Sequence, residues 1–165
     1  MFLTITDSRE EREQFYSGKH KNYCVKFETA VCIATGMIVW VAGPFYGPEN
    51  DVTIIHYSGF FDLPRLWHEV TYADKMYASK ELKEKCIVTP IKGTHLSEKE
   101  KAFNQYVRRR RVQADRTNGR IKNFECLHQK WRHSHLHLKS FFTVICCIVN
   151  LELSVRPEPY YLALK

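Results

Sequence analysis

The sequence predicts a mixed α/β domain, on three observations. Val25, Phe27, Thr29, Val31 and Ile33 alternate with more polar neighbours, and a Thr35-Gly36 turn signal and the apolar run Met37–Ala42 follow. That pattern is a β-hairpin. Ser97-Glu98-Lys99-Glu100 is a capping box, with Ser97 as N-cap and Glu100 at N3, opening a long helix. A second long helix, about His135–Leu153, carries the most apolar run of the chain and packs on the sheet. Hairpin, helix, two strands and two helices exclude an all-helical DNA-binding module.

The remaining elements are placed between these. Met1–Thr6 reads as a strand stub, Asp7–Glu13 as a charged turn, and Tyr16–Lys21 as a basic turn around Gly18. Gly43–Asn50 holds two Gly and two Pro in eight residues and reads as a loop. It delivers Asp51 to a short helix, where an acid in the first turn is favoured; Asp51 is presented to a site or simply caps the helix. Trp67–Tyr72 reads as a strand ending at Asp74. A strand end is where open α/β sheets bind ligands, though Asp74 also suits a plain turn. Ala78–Lys85 is helical, and Cys86–Ile91 is an edge strand because Pro90 lacks a ladder donor. Phe124–Trp131 is a short connection. The long helix from Ser97 runs through Val112 and Asp115 to Lys122, with a break expected near Asn118-Gly119. Arg156-Pro157 ends the final helix, and residues 156–165 are expected to form a disordered tail.

With 165 residues, 44% hydrophobic and 26% charged, the chain is long enough for one domain with a sizeable core, and is neither disordered nor fibrous. Net charge is +7, yet Ser97–Lys139 alone carries twelve Lys/Arg against four Asp/Glu, so the rest sums to −1. One contiguous basic segment is the footprint of a face that binds a polyanion; a membrane surface or an acidic protein would also fit. The six cysteines form no CxxC pair, and Cys146-Cys147 lies in an apolar run as buried thiol, which suggests a reducing, intracellular compartment. Phe141–Val149 is too short to span a bilayer, and the N-terminus has no secretory pattern.

Within the basic segment, Arg108, Arg109, Arg110 and Arg111 are followed by Asp115, and a helix puts Arg111, Asp115 and Lys122 near one face. A carboxylate among cations suits metal-dependent phosphodiester chemistry; the plain alternative is a solvated helix with a surface ion pair. Cys126, His128, His133, His135 and His137 crowd one region, but their spacing matches no common zinc finger, and a polar histidine cluster is the simpler account.

Several strings together resemble the DDE endonuclease domain of PIF/Harbinger-type transposases: YSGKHK, the hairpin, GPFYGPEND with VTII, ADKMY, SEKEKAFNQYVRRRRV and ADRTNGRIK, in that order from about Arg9 to Val155. The resemblance implies an RNase H-like mixed sheet flanked by helices, lacking its first strand, over residues 1–155. It implies two Mg²⁺ or Mn²⁺ ions held by Asp51, Asp74 and Asp115 as catalytic residues, and phosphodiester cleavage by two-metal catalysis. By position, Asp51 matches the acid of the family's Gly-rich loop, Asp74 the strand-end acid and Asp115 the helical Glu. Arg111, Asp115 and Lys122 match an R-x3-acid-x6-K spacing in related bacterial transposases. DNA is the implied substrate, contacted by Lys19, Lys21, Lys75, Arg108, Arg109, Arg110, Arg111, Arg116, Arg120 and Lys122. A Myb-like partner and a nuclear location also follow from the resemblance. The sequence departs from the family at four places. The first catalytic Asp is absent, Asp115 is one methylene shorter than Glu, Met76 replaces Gly, and Asn50 stands where His is common. These departures imply weak or no cleavage, and the competing reading is a non-catalytic DNA- or partner-binding module that keeps the fold and the basic face.

Overall fold

The computed structural model describes residues 4–5, 13–18, 21–64, 66 and 68–157. Its centre is the antiparallel hairpin of β4 (Val25–Val31) and β5 (Ile38–Tyr46), paired from Val25↔Tyr46 to Val31↔Ile38. Side chains alternate across a strand, and here the two faces of β4 meet different neighbours. Val25, Phe27 and Val31 pack into the larger apolar cluster, with Ile38, Ile121, Leu127 and Trp131. Ala30 on the other face packs with Trp40 against Ile55, Phe60, Leu82 and Ile87.

Two helices cover the first face. α3 (Glu98–Lys122) begins with the expected capping box: the Ser97 hydroxyl accepts from the Glu100 N–H, and the Glu100 carboxylate accepts from the Ser97 N–H at 2.8 Å. The helix does not break at Asn118-Gly119. Thr117 and Ile121 on either side are buried, and Thr117 Oγ1 donates to Gly36 O at 2.7 Å. These anchors outweigh the roughly 1 kcal/mol that a mid-helix Gly costs.

α4 (Leu138–Val155), preceded by a 3₁₀ turn at His135–His137, buries Leu138, Phe142, Ile145, Cys146, Val149 and Leu153 along one stripe. Phe142 stacks on Phe27 with ring centroids 4.1 Å apart. The Asn150 amide accepts from Ile38 N at 2.8 Å and donates to Ile38 O at 2.9 Å, which fixes the helix against the start of β5. His135–Val155 is long and apolar enough to cross a bilayer by length and composition, so the nine-residue run singled out in the sequence understated it. A buried stripe on one side is also what a core helix shows. Cys146 is buried, and burial pushes its thiol up to about 12. Cys147 is exposed, so only half of the expected buried doublet is observed.

Two strand boundaries are corrected. β5 continues to Tyr46, through Gly43 and Pro44, because an extra residue bulges between the Lys26↔Phe45 and Glu28↔Ala42 pairs and leaves Pro44 free of a ladder donor. Gly43 (φ +123°) is required there, since a Cβ would lie 2.7 Å from a Phe27 ring carbon. The strand expected over Trp67–Tyr72 shrinks to β6 (Thr71–Tyr72) because Leu66 and Glu69 close a turn, Glu69 N donating to Leu66 O at 3.0 Å; Trp67 is outside the described residues.

No single mixed sheet forms among the described residues. β1 (Thr4–Ile5) pairs parallel with β8 (Lys130–Trp131), β2 (Tyr16–Ser17) antiparallel with β3 (Asn22–Tyr23), and β6 parallel with β7 (Ile87–Val88). These strands are two residues long, too short to add a ladder on the hairpin. The second face carries α1 (Asp51–Tyr57) and α2 (Lys80–Glu84). The mixed α/β class stands. Most of Asp7–Glu13 and of the tail, with Lys19, lies outside the described residues.

Phe142→Ala is expected to lower unfolding free energy by about 3–5 kcal/mol in urea titration, because it opens a cavity between the hairpin and α4. A loss below about 1 kcal/mol would show that this packing does not hold the core.

Candidate functional site

The polar site is built on the second face of β4, where Lys26 and Glu28 point. Asp51 opens α1, but it is Asn50 that caps the helix, its side chain accepting from Val52 N at 3.0 Å. Asp51 is therefore free of the capping role and pairs with Lys26, Nζ to Oδ1, at 3.2 Å. Lys26 Nζ also donates to Glu49 O, so the β4 lysine fastens the loop that carries Asp51.

Asp74 caps the 3₁₀ turn Lys75–Tyr77, its carboxylate accepting from Lys75 N. Its second oxygen takes Arg111 from α3 at 3.2 Å. The same turn aims Tyr77 inward, where its hydroxyl donates to Glu28 Oε1 at 2.8 Å. Burial raises the Tyr77 phenol, and the charges of Glu28, Asp51 and Asp74 all raise it further, so the three carboxylates share one neighbourhood around that hydroxyl.

Glu28 is a group that the sequence motifs do not single out. Burial, supported by the negative charge of Asp51, pushes its carboxyl up to about 7, against hydrogen bonds and the charge of Lys26. Its Oε2 is enclosed with no hydrogen-bond partner among the described residues; the nearby Ser58 hydroxyl donates to Ile55 O at 3.2 Å. The available signal was an acid at an even position of a strand whose odd positions are apolar (Val25, Phe27), which puts Lys26 and Glu28 together on the face towards Asp51.

Asp115 is exposed on α3, one turn beyond Arg111. Among the described residues no three His, Cys, Asp or Glu side chains form a group able to hold a metal ion. Two of the three expected ligands are instead neutralised by protein cations, Asp51 by Lys26 and Asp74 by Arg111. As arranged here, the residues do not fit a pair of divalent ions. Nor do the histidines form a zinc site: His128 Nε2 lies 2.6 Å from Lys122 O, His133 packs edge-on to Trp131, and His135 packs edge-on to Phe15.

The expected DNA contacts divide. Arg108, Arg109, Arg116, Lys122, Lys75 and Lys21 are exposed. Arg110 stacks over the Tyr106 ring, 3.2 Å from its centroid, Arg111 holds Asp74, and Arg120 pairs with Glu152 of α4 at 2.7 Å. Exposed cations remain on several turns of α3, and the inward ones organise the site.

Residues 1–150 match the family described as DDE superfamily endonuclease, and the chain belongs to that family. Over 164 residues it is 27% identical to the probable transposase for insertion sequence element IS702 of Microchaete diplosiphon, covering 93% of this chain and 57% of that protein. The chain thus spans a little over half the length of this relative. No solved structure matches.

Because the folded Glu28 carboxyl titrates near 7 while an unfolded one titrates near the ordinary 4.5, the folded state holds the extra proton between these values. Its contribution to stability is then complete below about pH 4.5 and is lost as pH rises through 7. Melting temperatures of the wild type and Glu28→Gln across pH 4 to 8 are expected to diverge, the variant gaining relative to the wild type towards pH 8. Parallel curves would show that Glu28 is not held protonated.

Proposed function

We propose that the chain is a DNA-binding DDE-family domain whose acidic residues are tied up in counter-ion pairs, so that it grips the phosphodiester backbone and cleaves it weakly or not at all. The observation that carries this reading is the Arg111–Asp74 pair beside exposed arginines on the same helix. A guanidinium on the strand-end acid offsets the charge a divalent ion would need, while Arg108 and Arg109 stay exposed to phosphates. Lys26 on Asp51 works the same way. The departures at Asp115 and Met76 support the same conclusion. The same reading includes an RNase H-like ancestry over residues 1–155, a PIF/Harbinger-type origin, a Myb-like partner and a nuclear place of action.

Family membership favours a second reading. On that reading Asp51, Asp74 and Asp115 would be the residues to hold Mg²⁺ or Mn²⁺ once Lys26 and Arg111 had been drawn off by DNA, and the ions would supply Lewis-acid activation for phosphodiester cleavage.

Plasmid nicking in Mg²⁺ and in Mn²⁺, run beside Asp74→Ala, separates the two. The first reading expects no nicking above that of the variant. It also expects salt-sensitive binding to duplex DNA that weakens when Arg108 and Arg109 become Ala, the slope of log K against log salt shrinking by about 0.9 for each phosphate no longer neutralised. Nicking abolished by Asp74→Ala would establish the enzyme. Binding that ignores both salt and arginines would remove DNA as the partner.

A further inference from the structure

On the flank of α3 next to the Arg111–Asp74 pair, three side chains form a cluster that the acidic site does not use. Tyr106 is 44% exposed, and its ring meets that of Tyr72 on β6 at 61°, centroids 6.1 Å apart. The two hydroxyls lie 3.2 Å apart and share a hydrogen bond. Arg110 lies 3.2 Å from the Tyr106 centroid and 5.6 Å from that of Tyr72, and its guanidinium also donates to Tyr106 O at 3.3 Å. Phe103, one turn earlier, is 38% exposed.

We propose that Tyr106, Tyr72 and Arg110 form a stacking platform for an unpaired DNA base, set beside the strand-end acid. The inference rests on the DNA-binding reading above and adds to it the form of DNA that this site takes.

Two partners hold the Tyr106 ring, so it offers a pre-set aromatic surface with little left to order on binding. Aromatic rings and guanidinium planes bind bases of any sequence by stacking, and only an unpaired base exposes its face to them. Charge complementarity selects nucleic acid over a neutral aromatic ligand. Arg109, three residues on from Tyr106 and so its neighbour on the helix surface, is exposed where a phosphate flanking a stacked base would run. Position ties the platform to the acid: Tyr72 precedes Asp74 by two residues, and Arg110 adjoins Arg111, the partner of Asp74. An unpaired base held here would bring its own backbone next to that carboxylate.

The test uses the full chain and two labelled DNAs of identical sequence, a blunt duplex and a duplex with a three-nucleotide gap carrying 2-aminopurine. Wild type is expected to bind the gapped DNA more tightly and quench the 2-aminopurine. Tyr106→Ala should weaken gapped-DNA binding about tenfold, lose the quenching and leave blunt-duplex affinity unchanged, while Tyr106→Trp keeps both properties. Equal affinity of wild type for both DNAs, with no quenching, overturns the platform and leaves duplex binding standing. Failure to bind either DNA at low salt overturns the DNA-binding reading and the platform with it. If Tyr106→Ala melts early and still binds gapped DNA as wild type does, the cluster is only a packing clip and the proposal fails. Should that variant not fold, quenching by wild type and its loss in Arg110→Ala decide the matter.

Discussion

The alternation of β4 is the constraint on which the rest of the molecule depends. Val25 and Phe27 lie in the apolar cluster under α4, with Phe142 stacked on Phe27, and that packing obliges Lys26 and Glu28 to face the other way. A one-residue slip would bury two charged groups under α4 and strand two large apolar ones among carboxylates, which is far costlier than any single interaction in the site. The counter-ion of Asp51 and the hydrogen-bond acceptor of Tyr77 are therefore set by core packing on the opposite side of the same strand.

α3 supplies the other half of the arrangement. Its buried Val107, Thr117 and Ile121 hold the helix to the body of the protein, and this places Arg111 on Asp74 and Tyr106 against Tyr72. One helix thereby fixes a cation on the strand-end acid and an aromatic ring on the strand before it. Individually the ion pairs are modest, since Asp74 is 48% exposed and solvent screens it. Their importance lies in geometry: each joins segments far apart in the chain, and together with the Glu28–Tyr77 bond they draw the loop before α1, the turn after β6 and the basic helix to one place.

Much of this was legible in the sequence where periodicity is long. The hairpin, the Ser97 capping box, the basic helix and the apolar helix were all readable, because each is specified by many residues at once. What failed was local. Gly43-Pro44 read as a loop because Pro breaks ladders, yet a bulge accommodates it inside β5. A single mixed sheet was expected, but strands such as Thr71–Tyr72 and Ile87–Val88 stop after two residues. In the site, Asp51 and Asp74 were singled out by the family resemblance, and the structure pairs them with Lys26 and Arg111. Asp115 was singled out by its helical spacing from Arg111 and Lys122 as well as by the resemblance, and it stays on the exposed side of its helix. Glu28 went unnoticed because its significance comes from what packs on the reverse of the strand, which no local motif records.

Thermal unfolding of the intact chain with and without millimolar Mn²⁺ tests most directly whether lysine and arginine stand where metal would otherwise bind. An ion that binds only the folded state must raise the melting temperature. The account predicts the same midpoint in both conditions. A rise of several degrees in the wild type that vanishes in Asp51→Ala and in Asp74→Ala would contradict it.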